Sequence, residues 1–350
     1  MMDATATAVQ TILAIWHFII SPEFFIPIVF PGLITVLVVL LGLIWFERKL
    51  TAKVQLRYGP HYIAKHVGGV IQLMADLMRY LFQEFIIPKD ADRRVFVLAP
   101  IMLFTLTLLP VIAIPISSTF TAIHSDLTLL LVPTLATLAP LLVIIIGWSS
   151  NNKYSFIGSL REGYMIMSYE IPMFISILAM AVAYNSLSLI QAVQKQTGIA
   201  WGLVINPLAA IAFFGTLLMT SSRFPFDVSE AESEIVVGPY TEYSGIFFIF
   251  CLGAPYIKLY IYSLFFSLVF LGGWNPLVSP LTASPIINAI LSGIVLLIKA
   301  GIVMAVAVYM RTIFGRFRID QVLKLGWHKL FSLSILAVIL SLFLVGLGVL

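Results

Sequence analysis

Eight long apolar segments dominate the sequence, and each has about the length that a helix needs to cross a bilayer. They cover roughly residues 27 to 46, 95 to 115, 127 to 147, 165 to 184, 204 to 222, 245 to 271, 286 to 310 and 331 to 350. A spanning helix requires about 20 mostly apolar residues, whereas strands of a membrane barrel alternate in hydrophobicity over about 10. Since 61% of the 350 residues are hydrophobic and 10% are charged, we predict an all-α polytopic membrane protein with about eight transmembrane helices, forming a single integral membrane domain over residues 1–350.

Basic side chains concentrate in alternate loops between these segments. Seventeen of the twenty Lys and Arg residues lie in the loops 47–94, 148–164, 223–244 and 311–330. Short cytoplasmic loops collect Lys and Arg. We therefore expect these four loops on the cytoplasmic side and both termini on the opposite side.

The first basic loop contains an amphipathic pattern. Its apolar positions recur at helical spacing and are Val67, Val70, Ile71, Met74, Leu77, Met78 and Leu81. Polar residues, including Asp76 and Arg79, fall on the opposite face. The pattern predicts an interfacial helix, which either rests on lipid headgroups or presents the charged edge of Asp76 and Arg79 to a partner.

Three charged residues lie inside predicted spans, where charge is costly and usually functional. They are Glu170, Lys258 and Lys299. Pro172 removes a backbone donor two residues after Glu170, which opens the helix there. Glu170 is thus predicted to lie on a proton path; the alternative is a structural ion pair, for which Lys299 is one partner to consider.

The stretch RFPFDVSEAESEIVVGPYTEYSG, residues 223 to 245, carries five of the sixteen acids. If residues 227 to 234 are helical, Asp227, Glu230 and Glu234 line one face, and their repulsion raises their pKa values. Such a cluster suits proton uptake or a basic partner surface. A solvated acidic loop is the alternative, but the interleaved Phe226 and Tyr240 favour packing.

Common cofactor and metal motifs are missing from the sequence. It has no Gly-rich dinucleotide fingerprint, P-loop, CxxC or HExxH, and Cys251 is its single cysteine. We expect this chain to bind no metal, flavin, nucleotide or nucleic acid. A free-standing ion or solute transporter would also contain charged residues within its spans, but no two-half repeat is visible.

Several segments together resemble the NuoH family, the eight-span membrane subunit of respiratory complex I. They are FERKLTAKVQLRYGP (46–60), ADLMRYLFQE (75–84), IIPKDADRRVFVLAP (86–100), GWSSNNKYSFIGSLR (147–161), SYE (168–170), PFDVSEAESEIVVGPYTEYSG (225–245), LGGWNP (271–276) and GRFRIDQVLKLGW (315–327). The resemblance runs from about residue 30 to 330. The same subunit type occurs in archaeal deazaflavin dehydrogenases and membrane-bound hydrogenases, so the resemblance leaves the electron donor open.

The resemblance implies a role in proton-translocating quinone reduction. Such a subunit forms the quinone chamber beside the peripheral arm, carries no redox centre, and receives electrons from iron–sulfur clusters in partner subunits. Quinone is then the substrate, lipids and other membrane subunits are neighbours, and the expected location is the plasma membrane of a prokaryote. In a hydrogenase-associated homologue, no quinone would bind.

The same resemblance assigns roles to individual residues of this sequence. The residues matching the quinone chamber and its access path are Arg57, Asp76, Arg79, Glu84, Arg223, Phe226, Asp227 and Glu230. The residues matching the proton path are Glu170, Glu232, Glu234, Glu242, Tyr243 and Lys299.

Four of the sequence's departures from the family pattern change the type of residue at polar or charged positions. Thr220 and Pro255 stand where the family usually has glutamates, Lys258 replaces an asparagine, and Gln83 replaces a lysine. Two usual carboxylates are therefore absent. Either protons take a different route in this chain, with Glu170 carrying more of it, or the quinone and its coupling path are modified.

Overall fold

The computed structural model describes residues 21–61, 63, 66, 68–196, 201–275 and 285–348. Within these ranges the chain is helical and forms no β-strand. The α-helices, numbered in chain order, are α1 (Pro22–Ile28), α2 (Leu33–Val54), α3 (Ile71–Phe82), α4 (Arg93–Leu108), α5 (Thr128–Ala136), α6 (Leu138–Ser149), α7 (Lys153–Tyr184), α8 (Leu189–Lys195), α9 (Gly202–Ile205), α10 (Pro207–Thr220), α11 (Glu232–Ile235), α12 (Gly245–Phe270), α13 (Pro285–Ile313), α14 (Ile319–Lys324) and α15 (Phe331–Gly346). A π-helical segment, Leu325–Leu330, joins α14 to α15.

Seven helical segments of the described chain are long and apolar enough to cross a membrane. They are Pro22–Val54, Arg93–Ala113, Thr128–Ser149, Lys153–Tyr184, Gly245–Phe270, Ile287–Ile313 and Ile319–Gly346. The remaining predicted span, residues 204 to 222, corresponds to α10, which has 14 residues and is about 21 Å long. The fold class predicted from the sequence is thereby confirmed, with seven long helical segments and one shorter apolar helix in the described chain.

Helix α7 is the central element of the bundle and is longer than the sequence predicted. Its 32 residues run from Lys153 to Tyr184, so most of the segment expected as a loop at 148–164 forms its first turns. The Asn152 side chain caps its start by accepting a hydrogen bond from the Tyr154 amide at 2.9 Å. Helices α6, α10 and α15 pack around it. Because α7 begins well before its predicted start, it supports the neighbouring loops as well as the core.

The predicted amphipathic helix is present as α3. Its apolar residues are mostly exposed: Met74 is 52% and Met78 50% exposed, and only Leu73 is buried. Val67, the first position of the predicted stripe, lies outside the described residues. An apolar face left open on a short helix beside membrane-spanning helices fits the predicted position at a membrane interface.

Gly238 is the tightest point between α7 and the loop that follows α10. Its φ is +62°, and a Cβ atom built on it would lie 2.0 Å from the Ser229 carbonyl oxygen. A Cβ on Gly158 of α7 would lie 2.8 Å from the Gly238 Cα. The loop therefore approaches α7 backbone to backbone, which only glycine permits at this position.

We expect Gly238→Ala to destabilise the protein because alanine pays about 1–2 kcal/mol for the left-handed conformation and also meets the Ser229 carbonyl. The measurement is the thermal unfolding midpoint in mild detergent. Gly301→Ala is the matched control, since a Cβ there has no neighbour within 4 Å. Equal midpoints for the two variants would contradict the close approach.

Candidate functional site

The stretch of residues 223–244, here called the acidic loop, is not one long helix. Its α-helical part is the single turn Glu232–Ile235, and a 3-10 turn follows at Gly238–Tyr240. The prediction that Asp227, Glu230 and Glu234 line one helical face is therefore wrong, because Asp227 and Glu230 precede the α-helical turn. Val236 and Gly238 both have positive φ, which ends the α-helical turn at Ile235.

The acidic loop is packed and is not a solvated loop. Phe226, Val228, Ile235 and Tyr240 are each at most 4% exposed. The Phe226 ring lies 5.7 Å from the ring of Phe317, measured between centroids. These residues are the apolar members of the sequence pattern, and their burial holds the intervening acids against the helices.

Most acids of this loop have different partners on neighbouring elements. Asp227 accepts a hydrogen bond from Arg316 at 3.0 Å, and Glu234 is paired with Arg161 of α7. Glu242 accepts a hydrogen bond of 2.5 Å from Asn152. The side chain of Glu232, a predicted proton-path residue, lies outside the described part of the structure.

Tyr243 belongs to a separate aromatic contact at the end of the loop. Its hydroxyl lies 3.1 Å from the Ser149 hydroxyl, and its ring stacks on Phe96 with centroids 4.0 Å apart. Burial raises the pKa of Tyr243 above its usual value. These contacts attach the end of the loop to α4 and α6. Tyr243 and Glu242 therefore have different neighbours from Glu230.

A buried ion cluster lies under the start of the acidic loop. Glu47 of α2, 4% exposed, accepts a hydrogen bond from Arg223 at 2.7 Å and is also paired with Arg311. The Arg223 guanidinium carbon lies 3.5 Å from the centroid of the Tyr256 ring. One carboxylate thus holds arginines from the loop and from α13. Sequence reasoning missed Glu47, although an acid at the end of an apolar helix was a usable signal.

A polar cavity of about 360 Å³ opens beside Glu47. Its lining residues are Glu47, Arg48, Thr51, Arg57, Tyr58, Gly59, Pro60 and Arg311. Among the predicted access residues, the structure brings Arg57 to this cavity, where its Nε donates to the Gln55 side chain at 2.6 Å. Three guanidinium groups around one carboxylate give the cavity a surplus of positive charge and many hydrogen-bond donors.

Asp76 lies next to this cavity through a bond to one of its arginines. Arg48 Nη1 lies 2.6 Å from Asp76 Oδ2. Partial burial alone would raise the pKa of Asp76, but hydrogen bonds from Arg48 and Gln72 and the charges of Arg48 and Arg79 outweigh it and hold the pKa below its usual value. Arg79 and Glu84 are exposed and do not line the cavity.

Four charged side chains come together where the acidic loop meets α7 and α12. Lys258 interacts electrostatically with Glu162, Glu230 and Glu170. Glu162 is 2% and Lys258 4% exposed, and both Glu162 oxygens lie 3.4 Å from the Ser222 hydroxyl. This arrangement unites the predicted residues Glu170 and Glu230 with Glu162, which the sequence analysis overlooked because it assigned residues 148–164 to a loop.

Glu230 is partly buried: protein atoms pack around its side chain, and part of its surface remains exposed. Burial, together with the negative charges of Asp227 and Glu162, raises the pKa of Glu230 to about 8 against the opposing charges of Arg223 and Lys258. At neutral pH this carboxyl therefore holds its proton. A group that titrates near neutrality can accept and release protons under working conditions.

Lys299, a predicted proton-path residue, makes its contacts elsewhere. Its ammonium donates to the carbonyls of Leu271 at 2.6 Å and Asn275 at 2.5 Å and lies 5.1 Å from the centroid of the Trp201 ring. These carbonyls follow the C-terminus of α12, which a cation stabilises. Lys299 is therefore not the ion-pair partner considered for Glu170, and among the described residues the cation that acts on Glu170 is Lys258.

The described residues offer no grouping of three or more His, Cys, Asp or Glu side chains that would hold a metal ion. The chemistry that the site can perform is acid–base: a titratable carboxyl, two neighbouring carboxylates and a buried ammonium beside an arginine-lined cavity.

We expect Glu47→Gln to lower the free energy of unfolding by about 3–5 kcal/mol, because it leaves the buried Arg223 without an anion and removes the partner of the partly exposed Arg311. Asp76→Asn, which breaks the more exposed pair with Arg48, should cost no more than about 1 kcal/mol. Unfolding midpoints in detergent compare the two. A smaller effect for Glu47→Gln than for Asp76→Asn would refute the central place of Glu47.

Comparison with known proteins identifies relatives that match most of this chain. The chain is 34% identical over 343 residues to the H subunit of the F(420)H(2) dehydrogenase of Methanosarcina acetivorans, covering 93% of this chain and 97% of the relative. It is 35% identical over 335 residues to the corresponding protein of Methanosarcina mazei, covering 90% and 94%. It is 34% identical over 295 residues to the H subunit of the NADH-quinone oxidoreductase of a Geobacillus species, covering 84% and 86%. The family model described as NADH dehydrogenase matches residues 28–342, and the chain therefore belongs to the NuoH family.

Proposed function

We propose that this chain is the membrane subunit that forms the quinone chamber of a proton-translocating, complex I type assembly. Its role is to bind quinone at the junction with the peripheral arm and to couple quinone reduction to proton transfer. The observation that carries the proposal is the titratable carboxyl of Glu230, held by the packed acidic loop near Lys258 and Glu170. The family membership and the relatives' names support the same assignment.

The arginine-lined cavity is the proposed place of the quinone headgroup or its access path. Guanidinium groups of Arg48, Arg57 and Arg311 surround it and can donate hydrogen bonds to carbonyl oxygens. Arg223, the first residue of the acidic loop, is bonded to Glu47 in the wall of this cavity. The quinone takes up protons on reduction, and Glu230, on the loop that Arg223 begins, is a carboxyl that retains one at neutral pH.

Electrons must reach the quinone from outside this chain, since the sequence has no motif for a redox cofactor. Peripheral-arm subunits with iron–sulfur clusters are the proposed source. The relatives named above come from archaea and a bacterium, which supports the plasma membrane of a prokaryote. The loops 47–94, 148–164, 223–244 and 311–330 then face the cytoplasm and the peripheral arm, all within a single membrane domain.

The assembly can be tested by purifying this chain from native membranes in mild detergent and measuring iron content, subunit composition and reduction of a short-chain benzoquinone. We expect an iron-rich, multi-subunit assembly that reduces quinone with NADH or reduced deazaflavin as donor. Recovery of the chain alone and without iron would refute the proposal and favour a transporter. An iron-rich assembly that evolves hydrogen and ignores quinone would favour a hydrogenase subunit.

We expect Glu230→Gln to remove a pH-dependent step centred near pH 8. The folded protein keeps the Glu230 proton up to about pH 8, whereas an unfolded chain releases it near its ordinary value of 4.5. The folded state thus loses stability relative to the unfolded state as pH rises between these values. Wild type should show this loss in unfolding midpoints between about pH 5 and 9 and a change in quinone reduction rate near pH 8.

The glutamine variant should lack both the stability slope and the rate change. Asp126→Asn is the control, because Asp126 is an exposed acid distant in sequence from the acidic loop. An unchanged pH profile in Glu230→Gln would rule out Glu230 as the titrating group.

A further inference from the structure

We propose that Lys258 is a positioning residue that links the protonation of Glu230 to that of Glu170. It lies on α12 and is buried, as is Glu162 on α7, while Glu230 stands on the acidic loop and Glu170 on α7. These three carboxylates are the charged groups that act on Lys258. The effects expected on quinone reduction rest on the proposed function. The electrostatic interaction of Lys258 with the three carboxylates does not.

The charge balance of the cluster favours a shared proton. One ammonium faces three carboxylates, so full ionisation would leave two uncompensated negative charges in a poorly solvated region. The neighbouring arginines do not neutralise these two negative charges, because each already has an acidic partner. Arg316 is bonded to Asp227, and Arg223 and Arg311 are bonded to Glu47. At least one of the three carboxyl groups must therefore hold a proton for the cluster to be stable.

The Lys258 ammonium forms no direct ion pair with any one of these three acids. None of the three carboxylates lies within ion-pair distance of Lys258, in contrast to the five pairs found elsewhere in the described chain. A cation placed among several acids without a direct pair favours the charged form of each of them. When the shared proton moves, Lys258 stabilises whichever carboxylate has lost it.

Buried hydroxyl groups lie on the two helices that carry Lys258 and Glu170. Tyr169, Tyr262 and Ser263 are fully buried, and their side-chain oxygens have no hydrogen-bond partner within the described residues. Tyr169 precedes Glu170, and Tyr262 lies one helical turn from Lys258 on the same face of α12. Buried hydroxyls of this kind are usually satisfied by internal water, which would connect carboxyl groups that do not touch.

The proposed event is a proton transfer without any other change of bonding. An O–H bond of the Glu230 carboxyl breaks, its proton passes along hydroxyls and water, and an O–H bond forms on the Glu170 carboxylate. Lys258 keeps its own protons and its charge throughout. No oxidant or reductant takes part, so the step is balanced by one proton leaving and one arriving.

The test compares Lys258→Met and Lys258→Arg in the complete assembly, with Lys195→Met as control. Lys195 is an exposed lysine whose ammonium donates to the Tyr184 carbonyl, so its removal changes net charge equally. The first readout is an infrared titration of protonated carboxyl groups, assigned with Glu230→Gln and Glu170→Gln. The second is proton movement per quinone reduced in sealed vesicles, with a short-chain benzoquinone and the donor that the wild type oxidises.

We expect Lys258→Met to raise the carboxyl titration midpoint by about 1 pH unit or more, since it removes the neighbouring cation. It should also lose proton movement while retaining quinone reduction. Lys258→Arg should restore both, because it keeps the charge. A titration midpoint in Lys258→Met equal to that of Lys195→Met would overturn the proposal, and so would normal proton movement.

The infrared titration separates this inference from the proposed function. If the wild-type assembly fails to reduce quinone, the proposed function fails, yet the midpoint shift still decides whether Lys258 acts on the carboxyl groups. If Lys258→Met does not assemble, Lys258→Asn and Lys258→Arg provide the comparison, since asparagine is smaller, neutral and polar. Equal midpoints in these two variants would again overturn the proposal.

Discussion

The burial of Glu47 between two arginines is the interaction on which the arrangement around the acidic loop depends. Its carboxylate holds Arg223, the first residue of the acidic loop, and Arg311, near the end of α13. Because a buried charge without a partner is costly, these three side chains must meet when the helices pack. The start of the loop is thus placed against α2 and α13, and its apolar residues extend the contact to the segment before α14 through Phe226 and Phe317.

Much of the architecture could be predicted from the sequence because a bilayer imposes long apolar helices. The spans, the amphipathic α3 and the packing of the acidic loop all follow from periodicity and from aromatic residues among acids. The positions of single charges could not be predicted in the same way. Glu47 and Glu162 were assigned to loops because helix ends are set by local caps, here Asn152 for α7, and not by hydrophobicity.

Lys299 shows a second limit of sequence reasoning. Its place in the middle of an apolar segment indicated an intramembrane charge that needs a carboxylate, but backbone carbonyls after α12 satisfy it. Every residue has a backbone carbonyl, so a sequence does not indicate which carbonyl will accept a hydrogen bond from a buried lysine. Thr220 stands at a position where the family usually has a glutamate, and its hydroxyl donates to the Thr216 carbonyl within the same helix. The buried charge of α12 is Lys258.

The continuous length of α7 has a mechanical consequence for the charged cluster. Glu162 and Glu170 lie eight residues apart on one unbroken helix, so about 12 Å of rigid rod fixes their separation. Pro172, the only proline in α7, cannot bond to the Ser168 carbonyl, and the helix nevertheless continues through it to Tyr184. The backbone positions of these two acids are therefore set by one helix, and a larger change in the distances among the four charges requires movement of the acidic loop or of α12. Glu162 and Glu170 thus keep a constant spacing along α7, and Glu230 and Lys258 are the groups whose positions can change relative to them.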